Sequence, residues 1–177
     1  MELKYKFEEE EKLVFLSIGS SGTPIKSKIH FQKVIFLISN IIPNYKEAFD
    51  YEPYNFGPYS ETAESVLEDL KIMGMITQNK SAYSLSEKGM LYYNNYANEA
   101  NEQLLNTVDE IKKLTEKLND KELLTYIYLK YPEYQENSII WDKLKPQLHK
   151  YIKSLIKKQI LNEDDEIKYL KLYLVNE

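Results

Sequence analysis

Few side chains in this sequence have the types and spacing that acid–base, nucleophilic or metal chemistry requires. The two histidines are His30, inside an apolar run, and His149, within a group of lysines. Cysteine is absent, which excludes disulfides, thiolate metal ligands and cysteine nucleophiles. The 28 Asp and Glu residues could support acid–base catalysis, but no glycine-rich phosphate loop, zinc motif or nucleophile elbow accompanies them. We therefore expect a protein that is not an enzyme and that needs no metal or cofactor.

The strongest candidate for a binding surface is a group of basic residues near the C-terminus. It consists of Lys145, His149, Lys150, Lys153 and Lys157. Positions 150, 153 and 157 fall on one face of a helix predicted from Pro146 to about Lys158. This face suits nucleic-acid phosphates, an acidic protein or an anionic surface. A solvated lysine face that stabilises the negative end of the helix dipole is the alternative.

The overall charge limits how nucleic acid could be bound. The net charge is −5, so any attraction for phosphates must come from a local patch. All 23 basic residues are lysine, and without arginine the bidentate contact to guanine cannot form. Biased codon usage also explains the missing arginine, since Lys, Asn, Ile and Tyr are abundant.

A second candidate surface combines aromatic and acidic residues in the middle of the chain. Its aromatic part is Tyr54, Phe56 and Tyr59, and its acidic part is Glu61, Glu64 and Glu68 on a helix that begins after Ser60. Because phosphates would repel this acidic face, the pattern favours a protein partner over a DNA groove. The rings could anchor such a partner, stack on bases, or pack on the core beside Tyr83 and Tyr92.

These residues depend on elements that hydrophobic periodicity and capping residues predict. In the first half we expect a helix over 9–17, a central core helix capped by Ser27 and ended by Pro43, an extended segment over 50–56, a helix over 60–73 and a hairpin over 75–85. Gly74 is predicted to end the helix over 60–73. This order is that of a winged helix-turn-helix.

The second half is predicted to repeat the order of helices followed by a hairpin. Ser86 caps a long helix in which Ala97, Leu104, Ile111 and Leu118 recur every seven residues. This spacing indicates either a homodimer through helix 86–118 or packing on the same domain. After Asn119 we expect three helices and a hairpin whose strands flank the turn at 162–166.

The predicted fold class is mainly α with small β-hairpins, an α+β arrangement. It comprises an N-terminal winged helix-turn-helix domain (1–90), a long connecting helix (91–118) and a smaller winged-helix-like unit (119–177). The N-terminus lacks the apolar stretch of a signal peptide, and the longest apolar run is about half the length of a membrane span. We expect a cytoplasmic protein without membrane contact.

Two families share parts of this sequence. The segments 31–37, 56–60 and 67–76 together resemble the Panacea antitoxin-domain family, also described as SocA-like or phage-associated, over residues 10–90. That resemblance implies a domain that neutralises or delivers partner proteins, without catalytic residues. The segments 65–70, 74–76 and 83–89 are similar to PadR-like winged-helix transcriptional regulators, which append a dimerising helix.

Taken together, the sequence predicts a regulatory binding protein. The first hypothesis is a winged-helix transcriptional regulator of a host or mobile-element locus that contacts double-stranded DNA through the C-terminal lysines. The alternative is an antitoxin-like or adaptor protein that holds a protein partner, such as a toxin or a regulator, through the 51–59 segment and helix 60–73.

Overall fold

The structure, a computed structural model, describes residues 5–174. It is mainly helical with two small antiparallel sheets, as the sequence predicts. The helices are α1 (Glu9–Gly19), α2 (Lys28–Ile41), α3 (Pro43–Phe49), α4 (Glu61–Ile72), α5 (Glu87–Glu99), α6 (Glu102–Glu116), α7 (Asp120–Lys130), α8 (Trp141–Leu144), α9 (Leu148–Lys157) and α10 (Glu163–Leu174). The strands are β1 (Glu52–Tyr54), β2 (Gly57–Tyr59), β3 (Ile76–Asn79) and β4 (Ala82–Leu85). None of the helices within 5–174 has the length and apolar character needed to cross a bilayer.

The chain divides into two compact units. Within the described residues, the first unit combines 5–51 with Ser60–Glu116, and the second combines Glu52–Tyr59 with 117–174. The division therefore differs from the predicted one at two places. Residues 91–116 pack with the first unit, and the hairpin β1–β2 belongs to the second although its sequence interrupts the first.

Helix α2 forms the centre of the first unit. Every residue from His30 to Ser39 is buried, which confirms the predicted central helix. The Ser27 hydroxyl accepts a hydrogen bond from the His30 backbone N–H at 3.1 Å, and this bond satisfies a donor that the first helical turn leaves without a partner.

Helix α4 begins at a strongly fixed cap. The Ser60 hydroxyl accepts from the Ala63 N–H at 3.0 Å, and the Gln32 side chain exchanges two hydrogen bonds of 3.0 Å with the Ser60 backbone. Gly74, with φ of +70°, ends this region before strands β3 and β4 pair as the predicted hairpin. Ile25, between α1 and α2, adds a two-bond bridge to Tyr83 on β4.

The first unit also departs from prediction. Pro43 ends α2 as expected but then opens α3, because proline suits the first position of a helix. The long helix predicted from Ser86 to 118 is two helices, α5 and α6. The break lies at Ala100, and the Asn101 side chain caps α6 by accepting from the Leu104 N–H at 2.8 Å.

The predicted C-terminal hairpin is wrong, because Glu163–Leu174 is helix α10. The expected turn is instead a helix start. The Asn162 N–H donates to the Asp165 carboxylate at 3.1 Å, and the Asp165 N–H donates to the Asn162 side chain at 2.9 Å. Four acidic residues then occupy the first turn, where the helix dipole favours negative charge.

In the second unit, the hairpin β1–β2 packs against α7 and the segment after it. Gly57 has a φ of +78°, and a β-carbon there would lie 3.3 Å from the ring of Tyr128, so glycine suits both the turn and the contact. The Asn55 carbonyl accepts from the Ile139 N–H at 3.1 Å, and the Tyr128 hydroxyl bonds Ser138 at 2.6 Å. The expected extended segment over 50–56 is thus partly a strand of this hairpin.

Candidate functional site

Helix α9 carries the predicted basic face, and its two sides are sharply different. Leu148, Tyr151, Ile152 and Leu155 are buried in the second unit. The lysines at 150, 153 and 157 are all exposed on the opposite side. None of these three ammonium groups forms an ion pair with another residue in the described part of the chain. They form the α9 lysine face.

The other two predicted basic residues are placed differently. His149 is exposed, but its Nε2 lies 3.1 Å from a carboxylate oxygen of Glu166 in the first turn of α10. Lys145 is half-buried and precedes α9, in the short turn that links α8 to it. The structure therefore brings three of the five predicted residues together as an exposed cationic face, and it turns His149 toward an acidic helix terminus.

Lys158, one residue past α9, shows how a lysine in this region is neutralised. Its ammonium lies 2.5 Å from the Glu122 carboxylate and 2.8 Å from the Lys117 carbonyl oxygen. Glu122 is 5% exposed and also accepts from Ser154 at 2.6 Å. Burial raises the pKa of Glu122, but the hydrogen bonds from Lys158, Ser154 and the Asn119 backbone lower the pKa more, and the net pKa falls below its usual value.

The predicted acidic surface on α4 is more compensated than its sequence indicates. Glu64 is half-buried and pairs with Lys28, and Glu68 pairs with Lys71 at 2.9 Å. Glu61 is exposed in the first turn, where a carboxylate is favoured by the helix dipole. Of the acidic residues predicted to face a partner, two thus have cations within the first unit.

The aromatic residues predicted beside them lie in the other unit, on the β1–β2 hairpin. Tyr54 is 48% and Phe56 39% exposed, while Tyr59 is half-buried with its ring 5.1 Å from that of Tyr54. The alternative that these rings pack on the core beside Tyr83 and Tyr92 stays a prediction. The hairpin therefore presents two large apolar side chains to solvent.

A residue that the sequence analysis missed is Lys112 in α6, which is 1% exposed. Its ammonium donates to the carbonyl oxygens of Ser20 at 3.2 Å and Thr23 at 3.0 Å, and it lies 3.5 Å from that of Ile18. Burial lowers the pKa of Lys112 to about 8, although Glu116 acts in the opposite direction. The signal was its position four residues after Val108, on the apolar stripe of the helix.

The apolar residues that recur every seven positions in the predicted helix 86–118 can also be located in the structure. Leu104 and Ile111 are buried within the first unit, where α6 packs on α1 and α2. This favours packing on the same domain, and the homodimer through 86–118 stays a prediction. Within residues 5–174 no group of three or more His, Asp or Glu side chains could hold a metal ion.

Comparisons with known proteins add no family. No protein-family model matches the chain, and no curated protein matches it at a significant level. The resemblances to the Panacea and PadR-like families therefore stay predictions.

Proposed function

We propose that the protein is a non-enzymatic regulatory protein that binds duplex DNA through the α9 lysine face. The observation that supports this proposal is the set of three exposed ammonium groups without an ion-pair partner in residues 5–174, on one side of a helix fixed by its buried side. Because these groups have no ion pair to break on binding, they can replace the counterions of a phosphate backbone.

The proposal includes a winged-helix arrangement for the first unit. The order α1, Ile25 bridge, α2, α4, β3 and β4 is the order of elements in a winged helix, with α3 and the β1–β2 hairpin inserted before α4. In such a domain α4 would be the helix that enters the major groove. Its acidic residues disfavour that role, which is why we assign the DNA contact to α9.

Fluorescence anisotropy with a labelled 20-base-pair duplex tests the proposal. With three phosphate contacts, the slope of log affinity against log salt should be about −2.7, so binding weakens roughly 40-fold between 50 and 200 mM salt. The triple variant Lys150→Gln, Lys153→Gln, Lys157→Gln should lose most of the affinity and most of the salt dependence.

A second triple variant controls for net charge. Lys6→Gln, Lys46→Gln and Lys171→Gln remove the same charge from exposed positions outside the α9 lysine face. It should bind with nearly the affinity of the unmodified protein. Equal losses in both variants, or no binding at 50 mM salt, would refute the proposed contact. A duplex from the gene's own upstream region against a scrambled one separates a regulator from a general DNA binder.

The exposed hairpin favours a second candidate function, an antitoxin-like or adaptor protein. Tyr54 and Phe56 supply apolar contact area of the kind that anchors protein interfaces. A toxin-like protein encoded beside this gene should co-purify with the chain and be lost on Tyr54→Ser with Phe56→Ser. The matched control is Ile72→Ser with Leu91→Ser, which removes two other exposed apolar side chains. Equal recovery with both double variants would exclude the hairpin.

A further inference from the structure

The first unit contains a cleft that neither proposed function uses. Its volume is about 480 Å³, and it is lined by residues of α1 and α3 and by the junction of α5 with α6 at Ala100. Leu16, Ala48 and Leu104 give it apolar surface, and the ring of Tyr96 adds more. These walls suit a short aliphatic chain, because burying methylene groups there is favourable.

The polar lining of the cleft is predominantly acidic. Three carboxylates line it, from Glu9, Glu10 and Glu99, against the single ammonium of Lys12. Lys12 lies 2.6 Å from Glu9 and so neutralises that residue. Within the described residues Glu10 and Glu99 have no ion pair, and Glu99 accepts only the Asn95 amide at 2.9 Å. The cleft therefore carries about two uncompensated negative charges.

The end of α5 adds to this negative field. Glu99 is the last residue of that helix, and its last turn contains no basic side chain. A carboxylate beside the negative end of a helix dipole is unfavourable, whereas a cation there is stabilised. A bound cation would thus compensate both the carboxylate and the helix terminus.

Tyr45 supplies an independent polar group in the same cleft. The side chain of Tyr45 lines the cleft, and the residue is only 7% exposed. Its hydroxyl has no hydrogen-bond partner among residues 5–174. Burial raises the pKa of Tyr45 to about 12, and the nearby carboxylates of Glu9 and Glu10 contribute to that rise. The phenol therefore stays neutral, and its hydroxyl oxygen can accept a hydrogen bond from a ligand N–H.

From these features we infer that the cleft binds an alkylammonium group. The carboxylates of Glu10 and Glu99 and the hydroxyl of Tyr45 would contact the ammonium head, and the apolar walls would cover its methylene chain. A free polyamine and a lysine side chain of a partner protein present the same chemistry. The site lies in the first unit and does not depend on the α9 lysine face.

Isothermal titration of the full chain with spermidine tests this inference. A separate titration uses a peptide that is acetylated at its N-terminus and contains an unmodified lysine. At least one of the two should bind saturably, and the four-carbon dicarboxylate succinate should not bind. Glu10→Gln with Glu99→Gln should weaken binding at least tenfold, and Tyr45→Phe severalfold. Binding of spermidine alone identifies a free amine as the ligand, and binding of the peptide alone identifies a partner's lysine.

Glu87→Gln with Glu110→Gln is the matched control, because it removes two exposed carboxylates of the first unit that do not line the cleft. Its affinity should equal that of the unmodified protein. Tyrosine ring NMR signals of the unmodified protein provide a readout that needs no variant to fold, since the Tyr45 resonance should shift on titration. Equal losses in both double variants, no saturable binding, or an unmoved Tyr45 signal would overturn the inference.

Discussion

Helices α4 and α9 are both amphipathic and both strongly charged on the outer side, yet their charges are used differently. Two of the carboxylates on α4 pair with lysines, and Lys28 reaches Glu64 from 36 positions away in the chain. The lysines at 150, 153 and 157 on α9 have no ion pair in the described chain. A helical charge pattern thus predicts which side faces outward and local pairs such as Glu68 with Lys71, but the pair of Glu64 with Lys28 depends on another element.

The largest change in the free energy of unfolding should come from Lys112, whose ammonium group is buried. Lys112→Met removes the donor from the carbonyls of Ser20 and Thr23 and should lower the free energy of unfolding by about 2–4 kcal/mol. Urea denaturation followed by circular dichroism measures it. Lys113→Met, at an exposed neighbour, should leave the free energy of unfolding nearly unchanged. Equal costs would mean that burial of Lys112 contributes nothing special.

The pH dependence of the free energy of unfolding, compared between Lys112→Met and Lys113→Met, gives a second readout. The pKa of Lys112 is about 8 in the fold against an ordinary 10.5, so the unfolded chain binds more protons between these values. Stability from this residue should therefore rise as pH increases from about 8 to 10.5, and Lys112→Met should lack that rise while Lys113→Met retains it.

The variant Glu122→Gln tests whether a buried charge also stabilises the second unit. Glu122→Gln weakens the contacts with Lys158 and Ser154 and should lower the free energy of unfolding at pH 7 by about 1–3 kcal/mol. Trp141, whose ring lies 5.4 Å from Tyr128, reports this unit by fluorescence.

Acid should remove the difference. Because the folded pKa of Glu122 is depressed below 4.5, its stabilisation is present above that pH and is lost as pH falls through the folded pKa. The unmodified protein and the variant should therefore converge at low pH. A constant gap would show that the carboxylate charge is not what stabilises the unit. Glu163→Gln, at an exposed position, serves as the control.

A smaller effect is expected at the α4 pair. Lys28 and Glu64 are 47% and 29% exposed, so their coupling in a double-mutant cycle with Lys28→Gln and Glu64→Gln should be about 0.2–1 kcal/mol and should fall with added salt. Zero coupling would make the α4 charges as independent as those of α9 and would remove the contrast.

The smallest effect should come from the α9 lysine face itself. The triple glutamine variant at 150, 153 and 157 should change the free energy of unfolding by less than about 0.5 kcal/mol, measured by Trp141 fluorescence in urea. A loss above about 1 kcal/mol would show that these lysines stabilise the fold.

Local features of this fold were predictable from sequence. Caps at Ser27, Ser60 and Asn119 depend on hydrogen bonds to residues three positions away, and each is present. The hairpin β3–β4 was predicted for the same reason, since its strands and turn are contiguous. The exposed face of α9 followed from helical periodicity alone.

One local prediction was wrong, and features that depend on distant residues were missed. The segment after Asn162 has the apolar and charged residues of a strand–turn–strand, but the mutual caps of Asn162 and Asp165, three residues apart, start a helix. The burial of Lys112 depends on carbonyls about 90 residues earlier in the chain. The cleft around Tyr45 likewise combines α1, α3 and α5, and no single segment contains its pattern.

The place of the β1–β2 hairpin has a consequence for how the chain is made. Tyr59 leaves the ribosome roughly 70 residues before Tyr128, against whose ring Gly57 packs. At a synthesis rate of about 5–20 residues per second, Tyr128 is made about 4–14 s after the hairpin. During that interval, the sequence on both sides of it can already fold into much of the first unit. A C-terminal fragment expressed from residue 117 would lack this strand pair and expose the surface that it covers.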